Sequence, residues 1–583
     1  MPLKNFSEEE AEKIRAFLFT NPHGDTSFVY PQQLVAGEEL SPLMAAYSRT
    51  HIPFQDRVLQ FLDVEKPEQT RGFLPFIDPL VQLFRNADGS LVVSRKTRGF
   101  NEEWVLKHGH SSIKEETALF GYCEDVSDIT GKQITGHPLI KPQVKSTRYL
   151  SYGKVLERSL DDPDIRSLPN ADRILEHIVF LNKRYLEVAE QLATLVWEHA
   201  DTREAVAFLR SPAVVEREVR RRFEKAGKSN PSEEEWKKEY RSVEKGVADE
   251  GIRKDVAKGV LDDARVYLPA VTRTSIGFSV DARTLEDVII NLISSERQED
   301  QERGNVLWRE ARKIAPVLLG ERSHVKRDEW RRATEKELRV YVERNLGHCD
   351  SEEKRRVRLI TPRGIDIDSD IWSATVVAFQ YADASVLDIY TLMTEEHAAD
   401  ILELAHKHRS DHDVLHPAIA HSGFMVEFLM GYHAYRDVFR HRRGSRTNQR
   451  LTTMHGFEVP EIFKVFGIDE RYKEDMEKAA QVYEMVRRQA GMQVAEKLVP
   501  FGALCRSLHS WQVNQMGYVG RLRSDIAKGN RSYVEVTREL MAEVGKVLPE
   551  TAKYLRYDTR EYPSHLWKGA YEWYDATQRG KGK

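Results

Sequence analysis

The sequence predicts an α+β protein in which helices dominate, built from two domains of related pattern. Three observations carry this. Apolar stripes at helical spacing run through 173–198 and 475–494, short apolar runs of strand length stand at 117–122 and 424–430, and the order of signals around them is repeated. A chain of 583 residues also exceeds one ordinary core, since domains run to about 100–200 residues.

Residues 1–39 read as an N-terminal extension, and their opening, MPLKNFSEEEAEKIRAFLF, lacks the apolar centre of a signal peptide. The first domain is expected over 40–310. Its TALFGY run has strand length, and RILEHIVFLNKRYLEVAEQLATLVWE repeats apolar residues over several helical turns. An insert at about 212–258 is dense in mixed charge and reads as solvated helices around Asn230-Pro231-Ser232, with Ser232 capping the Glu-rich turn that follows. A second charged stretch, 295–358, reads as helical, and the connector between domains is placed at 311–364. The second domain, 365–560, holds the other strand run, FMVEFLM, and the other long helix, and 561–583 is a C-terminal tail.

The internal repeat organises this list. His110 precedes a strand-like run and then His137; His416 precedes another such run and then His441. Downstream, Arg265-Val-Tyr-Leu-Pro269 leads to a helix opening near Asp281, and Glu496-Lys-Leu-Val-Pro500 leads to one near Trp511. Two divergent copies of one domain are expected, related by an approximate twofold axis.

Charge and cysteine usage exclude several function classes. With 92 acidic and 88 basic residues the net charge is −4, so no global field favours nucleic acid or an acidic membrane. No run of about 20 apolar residues is present to span a bilayer, and a cytoplasmic protein is expected. Cys123, Cys349 and Cys505 lie far apart without CxxC spacing, which argues against a disulfide framework or a cysteine-rich zinc site. Buried packing is the favoured role for each.

The sharpest chemical feature is RDVFRHRRGSRTNQR at 436–450. Gly444 lets the backbone turn close to a ligand, and the Arg, Ser and Asn groups supply a fork of donors suited to phosphates or an electron-rich flavin ring. An exposed basic turn is the alternative. The paired position in the first half, Gly136-His-Pro138, lacks these cations, but Ser146-Thr-Arg148-Tyr149 follows it, with donors for a phosphate and a ring to stack. No GxGxxG fingerprint is present, which argues against a Rossmann-type FAD site. His408, His412 and His416 are spaced by four and would share one face of a continuous helix, as zinc ligands do. Pro417 and the Asp-rich turn are expected to end that helix first, so no metal is expected.

Arg440-His441-Arg442 with Ser445, preceded by a His near a strand, resembles the flavin-dependent thymidylate synthases, whose long motif runs from RHR through Ser and Asn to S-x-R-Y. Here the motif is divided: RHR and Ser445 stand in the second half, Ser146, Arg148 and Tyr149 in the first. The resemblance implies flavin contacts from Arg440, His441, Arg442, Ser445, His110, His416 and Arg283, the last in an Asp-x-Arg segment where the family has Asn-x-Arg. It implies nucleotide contacts from Gln133, Ser146, Arg148, Tyr149, Arg265 and Arg440, and it sets Arg523 against the pyrimidine imide as the catalytic cation. It further implies FAD as cofactor, NADPH and methylene-tetrahydrofolate as co-substrates, and dUMP or a related pyrimidine nucleotide as substrate. The site would be composite, with first-half and second-half residues facing each other in a homodimer of tandem chains, a pseudo-tetramer. The opposite combination, Gly136 and Leu292 facing Thr452 and Glu496, is expected to be non-functional. A synthase-like flavin- or nucleotide-binding scaffold is the non-catalytic alternative.

Overall fold

The computed structural model describes residues 3–29, 34–35, 37–107, 112–147, 152, 159–228, 230–320, 327–346, 354–360, 370–408, 416, 418, 425–442, 444–511, 513–527, 529–547 and 557–581. The fold is helix-rich α+β, organised around two four-stranded antiparallel sheets. The first has β1 (Thr26–Phe28), β2 (Ala118–Ser127), β3 (Lys141–Val144) and β4 (Arg273–Asp281) in the order β1-β2-β4-β3. The second has β5 (Val357–Ile360), β6 (Met425–Gly431), β7 (Arg446–Asn448) and β8 (Leu504–Ser510) in the order β5-β6-β8-β7. Both strand-length runs of the sequence fall in the inner strands β2 and β6.

Each sheet takes its outer strand from a segment read as extension or connector: β1 comes from 1–39 and β5 from 311–364. Three or four residues are too few for an alternating pattern to register. In β6 all seven residues are buried, which fits its nearly unbroken apolar run; its one charge, Glu427, is met by Arg506 of β8 at 3.1 Å.

The long helices form where the apolar spacing put them. Ala171–Glu198 buries Ile174, Ile178, Leu181, Tyr185, Val188 and Leu192 along one face, and Asp469–Ala490 buries Tyr472, Met476, Ala479, Tyr483 and Val486. The second begins earlier than its apolar stripe because its first turn is polar, and Gly491, at φ 81°, ends it. These helices share the largest apolar cluster of the molecule, which draws on both halves; Tyr267 and Tyr472 meet edge to face there at 5.2 Å. The charged insert forms the helices Pro212–Lys225, Glu233–Gly246 and Asp249–Ala264. Ser232 and Glu235 make a reciprocal capping box. Ser232→Ala is expected to lower the stability of this insert by about 1 kcal/mol, read as faster amide exchange in Glu233–Gly246.

The halves meet where the chain crosses itself. Pro269 and Pro500 form an isolated antiparallel bridge. Around it the Ala270 and Val271 N–H groups donate to Val499 and Lys497 carbonyls at 3.0 and 2.7 Å, while Phe501 and Gly502 N–H donate to Leu268 and Val266 carbonyls at 2.8 and 2.9 Å. The two sets mirror each other across the prolines. Among the described residues no helix is long and apolar enough to cross a membrane.

Candidate functional site

A cavity of about 1140 Å³ lies between the halves. Its second-half wall follows from β6. The Tyr432–Val438 helix starts directly after Gly431, is buried throughout, and unwinds at Phe439 into the RHR turn. Arg440 is exposed there, His441 buried and Arg442 half-buried. Gly444 has φ 96°, and a Cβ on it would stand 1.9 Å from the Ser510 carbonyl oxygen, so a side chain cannot be accommodated. The Ser445 carbonyl then accepts the Ser510 N–H at 2.9 Å and the chain enters β7.

The first-half wall is built the same way. The Asp128–Thr135 helix follows β2, capped by the Ser127 side chain, and carries Lys132 and Gln133 onto the cavity with Gly136 and His137 behind them. Arg446 ties the two turns together: it donates to the Phe439 carbonyl at 2.8 Å and to the Gly136 carbonyl at 2.9 Å, and its guanidinium lies 3.9 Å from the Phe439 ring centre. Trp330, Arg331, Tyr381 and Arg450 line the remaining walls.

Cations crowd this space. Burial, with Arg446 and Arg440 nearby, pushes the Arg442 guanidinium down to about 10, and its buried Nε has no hydrogen-bond partner. Burial also lowers the Lys132 ammonium to about 7; Asp128 opposes the shift and Arg436 adds to it, and the amine sits 4.5 Å from the Phe439 ring centre. Arg523 Nε donates to His441 Nε2 at 2.8 Å, which fixes the proton of His441 on Nδ1. Burial first and Arg523 second push this imidazole down to about 3. His441 should therefore stay neutral from pH 5 to 8 in a histidine-labelled NMR titration. In Arg523→Ala its midpoint should rise, because a cation beside it is removed while the burial remains.

A buried ionic knot lies along the same Tyr432–Val438 helix. Arg265, 2% exposed, bonds the Thr147 hydroxyl at 3.3 Å, the His433 carbonyl and Asp437 at 3.2 Å, and pairs with Asp262 at 3.1 Å. Arg436 bonds the same Thr147 hydroxyl at 2.6 Å and pairs with Asp128 at 2.7 Å. The Ser146–Thr147 loop of the first half thus meets the helix preceding the RHR turn of the second through the hydrogen bond that Arg436 donates to the buried Thr147 hydroxyl.

The cavity gathers Gln133, His416, His441, Arg442 and Ser445. Ser146 and Arg265 belong to the knot side, with the Ser146 N–H held by the Ser48 carbonyl at 2.9 Å. Arg283 pairs with Glu115, half-exposed, and Arg283, Arg440 and Arg523 are outside the cavity lining. His110, Arg148, Tyr149 and His412 lie outside the described residues. The described helix Glu395–His406 ends before His408, which pairs with Glu337 at 3.0 Å, and residues 409–415 of the zinc-helix alternative lie outside the described residues.

Gly136 and Glu496, set apart in the expected non-functional combination, line the cavity of this chain together with His441 and Arg442. Glu496 is not a bare acid there. It is buried, paired with Arg297 at 2.7 Å and Arg450 at 3.6 Å, and it accepts the Leu451 N–H at 3.0 Å. Lys132 and Arg446 were passed over in the sequence reading; each sits beside a residue that was named, Gln133 and Ser445.

Residues 82–317 match the family described as thymidylate synthase complementing protein. The match covers most of the first half and ends before the RHR turn. The chain is 24% identical over 489 residues to the UPF0159 protein Ta1429 of Thermoplasma acidophilum, covering 80% of this chain and 90% of that one. It is 22% identical over 571 residues to a UPF0159 protein of Chlamydia muridarum, covering 95% of each. No solved structure gives a significant match.

Proposed function

We propose, from the match of residues 82–317 to the thymidylate synthase complementing protein family and from the geometry of the cavity, that the chain is a flavin-dependent methyltransferase of the thymidylate synthase type. It methylates dUMP, or a related pyrimidine nucleotide, at C5 with methylene-tetrahydrofolate as carbon donor and NADPH as reductant. One observation carries the reading. Arg442 lines a cavity walled by both halves, and its buried Nε–H meets no acceptor within the protein. An unmet buried donor is costly, so this wall suits an acceptor that the protein does not supply, and the carbonyl-bearing edge of a flavin is one. The cavity exceeds the roughly 300–1,000 Å³ of single-ligand pockets, which leaves room for a nucleotide beside the cofactor.

Reduced flavin, when bound, supplies the hydride that completes the methyl group. The chain's own task is placement and charge. Arg442 and Ser445 hold the acceptor edge, and neutral His441, fixed by Arg523, adds no charge against it. The amide of Gln133 offers both a donor and an acceptor to a pyrimidine edge. Ser146 and Arg148 take the phosphate.

We read the halves as divergent copies. The common strand order and the mirrored bonds about Pro269 and Pro500 support this. Two such chains then make a four-domain assembly, and exposed Phe76, Leu83 and Phe84 offer apolar surface for it. Light scattering at micromolar concentration should give the mass of a dimer; a monomer mass would reject the assembly.

Asp437 favours a second reading. It stands where the family has its nucleotide-binding Gln, and it already neutralises Arg265 at 3.2 Å, so a phosphate would have to compete with a buried carboxylate. In that case the protein binds flavin or nucleotide without ordinary turnover. Purified protein should be yellow, or become so with added FAD, and should form dTMP from dUMP, methylene-tetrahydrofolate and NADPH. Binding of FAD or dUMP without product selects the second reading, and failure to bind either ligand rejects both.

A further inference from the structure

The C-terminal segment 557–581 packs on the insert of the first half and the helix that closes it. Trp567 Nε1 donates to Asp255 at 3.1 Å, Lys568 reaches Asp262 at 3.3 Å, and Glu572 pairs with Arg217. Within this seam two neighbouring side chains of the first half meet a third from the C-terminal segment. His199 caps the Ala200–Leu209 helix, Asp201 stands in its first turn, and His565 arrives from the C-terminal segment. His565 Nε2 lies 2.8 Å from Asp201 Oδ2, and the two imidazoles stack with centres 3.9 Å apart at 33°. One donor atom from each of the three lies within 4.8 Å of the other two.

We propose that His199, Asp201 and His565 bind a divalent transition-metal ion of the zinc class, which clasps the C-terminal segment to the first half. Two imidazole nitrogens and one carboxylate oxygen suit zinc or cobalt and not magnesium or calcium, whose sites are built from oxygen. Three protein ligands leave the fourth tetrahedral position to water. Two imidazoles stacked this closely repel when both are protonated, and the neutral ring is the form that ligates. Bonds of about 2.0–2.1 Å set tetrahedral donors about 3.3 Å apart, so side-chain rotation must open the His565–Asp201 pair slightly from its 2.8 Å and bring the three donors to that common spacing. The contact that holds His199 in its present pose, the Asp201 N–H to Nδ1 at 3.3 Å, is long and weak. A second carboxylate-rich trio, Asp162, Asp164 and Glu299, does not compete, because the Lys497 ammonium already sits among its oxygens at 2.6–2.8 Å.

Tag-free protein stripped with chelator is titrated with Zn²⁺ by calorimetry and with Co²⁺ by visible absorption. One equivalent is expected, with the absorption of four-coordinate Co²⁺. His565→Gln and Asp201→Asn should each weaken Zn²⁺ binding at least tenfold, while His408→Gln leaves it unchanged. Zn²⁺ should also slow limited proteolysis within 557–581 in the wild type and not in His565→Gln. Asp201→Asn keeps the side-chain shape, so it still decides the matter if the histidine variant fails to fold. Binding well below one equivalent, or equal affinity in wild type and Asp201→Asn, overturns the site and marks any bound metal as adventitious.

Discussion

Lys497→Met is expected to cost about 3–5 kcal/mol of stability, the range for removing one partner of a buried ionic cluster, and so to lower the denaturant midpoint more than any surface change. The Lys497 side chain is fully buried and its ammonium contacts Asp162 at 2.6 and 2.8 Å, Asp164 at 2.7 Å and Glu299 at 2.8 Å. Burial opposes charge on all of these groups. Even so, the carboxylates raise the Lys497 pKa, and Lys497 and Arg273 hold Glu299 well below the usual carboxylate range, whereas burial raises Asp162. Methionine fills the volume but removes the ammonium that the three carboxylates share, leaving Arg273 beside Asp162 and Glu299 and the charge of Arg297 near Asp164. Lys497 lies in the second half and its carboxylates in the first, so the same change loosens the junction. A midpoint within 1 kcal/mol of wild type would show that water or protonation replaces the ammonium cheaply.

Arg442→Ala should weaken flavin retention by about 1.5–3 kcal/mol, the value of a hydrogen bond to a charged group, or roughly 10–150-fold in dissociation constant. Arg148→Ala should weaken the pyrimidine nucleotide by a similar factor and leave flavin bound. The pair tests a division of labour between the halves, with the second gripping the cofactor and the first the phosphate. Calorimetry with FAD and with dUMP reads both effects, and a variant pair in which neither ligand changes would remove the composite site.

Much of the fold was legible because burial writes itself into spacing. The long helices at 171–198 and 469–490 and the inner strands β2 and β6 each carry enough consecutive signal to fix their type. β1 and β5 do not: at three and four residues they are strands only because a neighbour offers hydrogen bonds. The RHR turn could be read as a ligand-facing cluster from its residue types and Gly444. What could not be read was which cations were already satisfied. Arg265 looks as available in the sequence as Arg442, yet its partner Asp437 lies 172 residues away. Long-range ion pairing leaves no periodic trace, so a buried knot and an open donor share one appearance until the chain is folded.

The crossing at Pro269 and Pro500 bears on how this protein can vary. In a dimer of identical subunits, any residue beside the symmetry axis is present twice and meets its own copy, so a charge placed there confronts itself. A single chain escapes that restriction. Arg265 and Glu496 occupy matching places ahead of the two prolines with opposite charges, and Val266 is matched by Lys497. Each is tolerable because its counterpart is free to differ. On the proposed reading of the halves as divergent copies, joining them in one polypeptide turns a symmetric contact into two independent positions, one able to keep a binding group while the other becomes mortar.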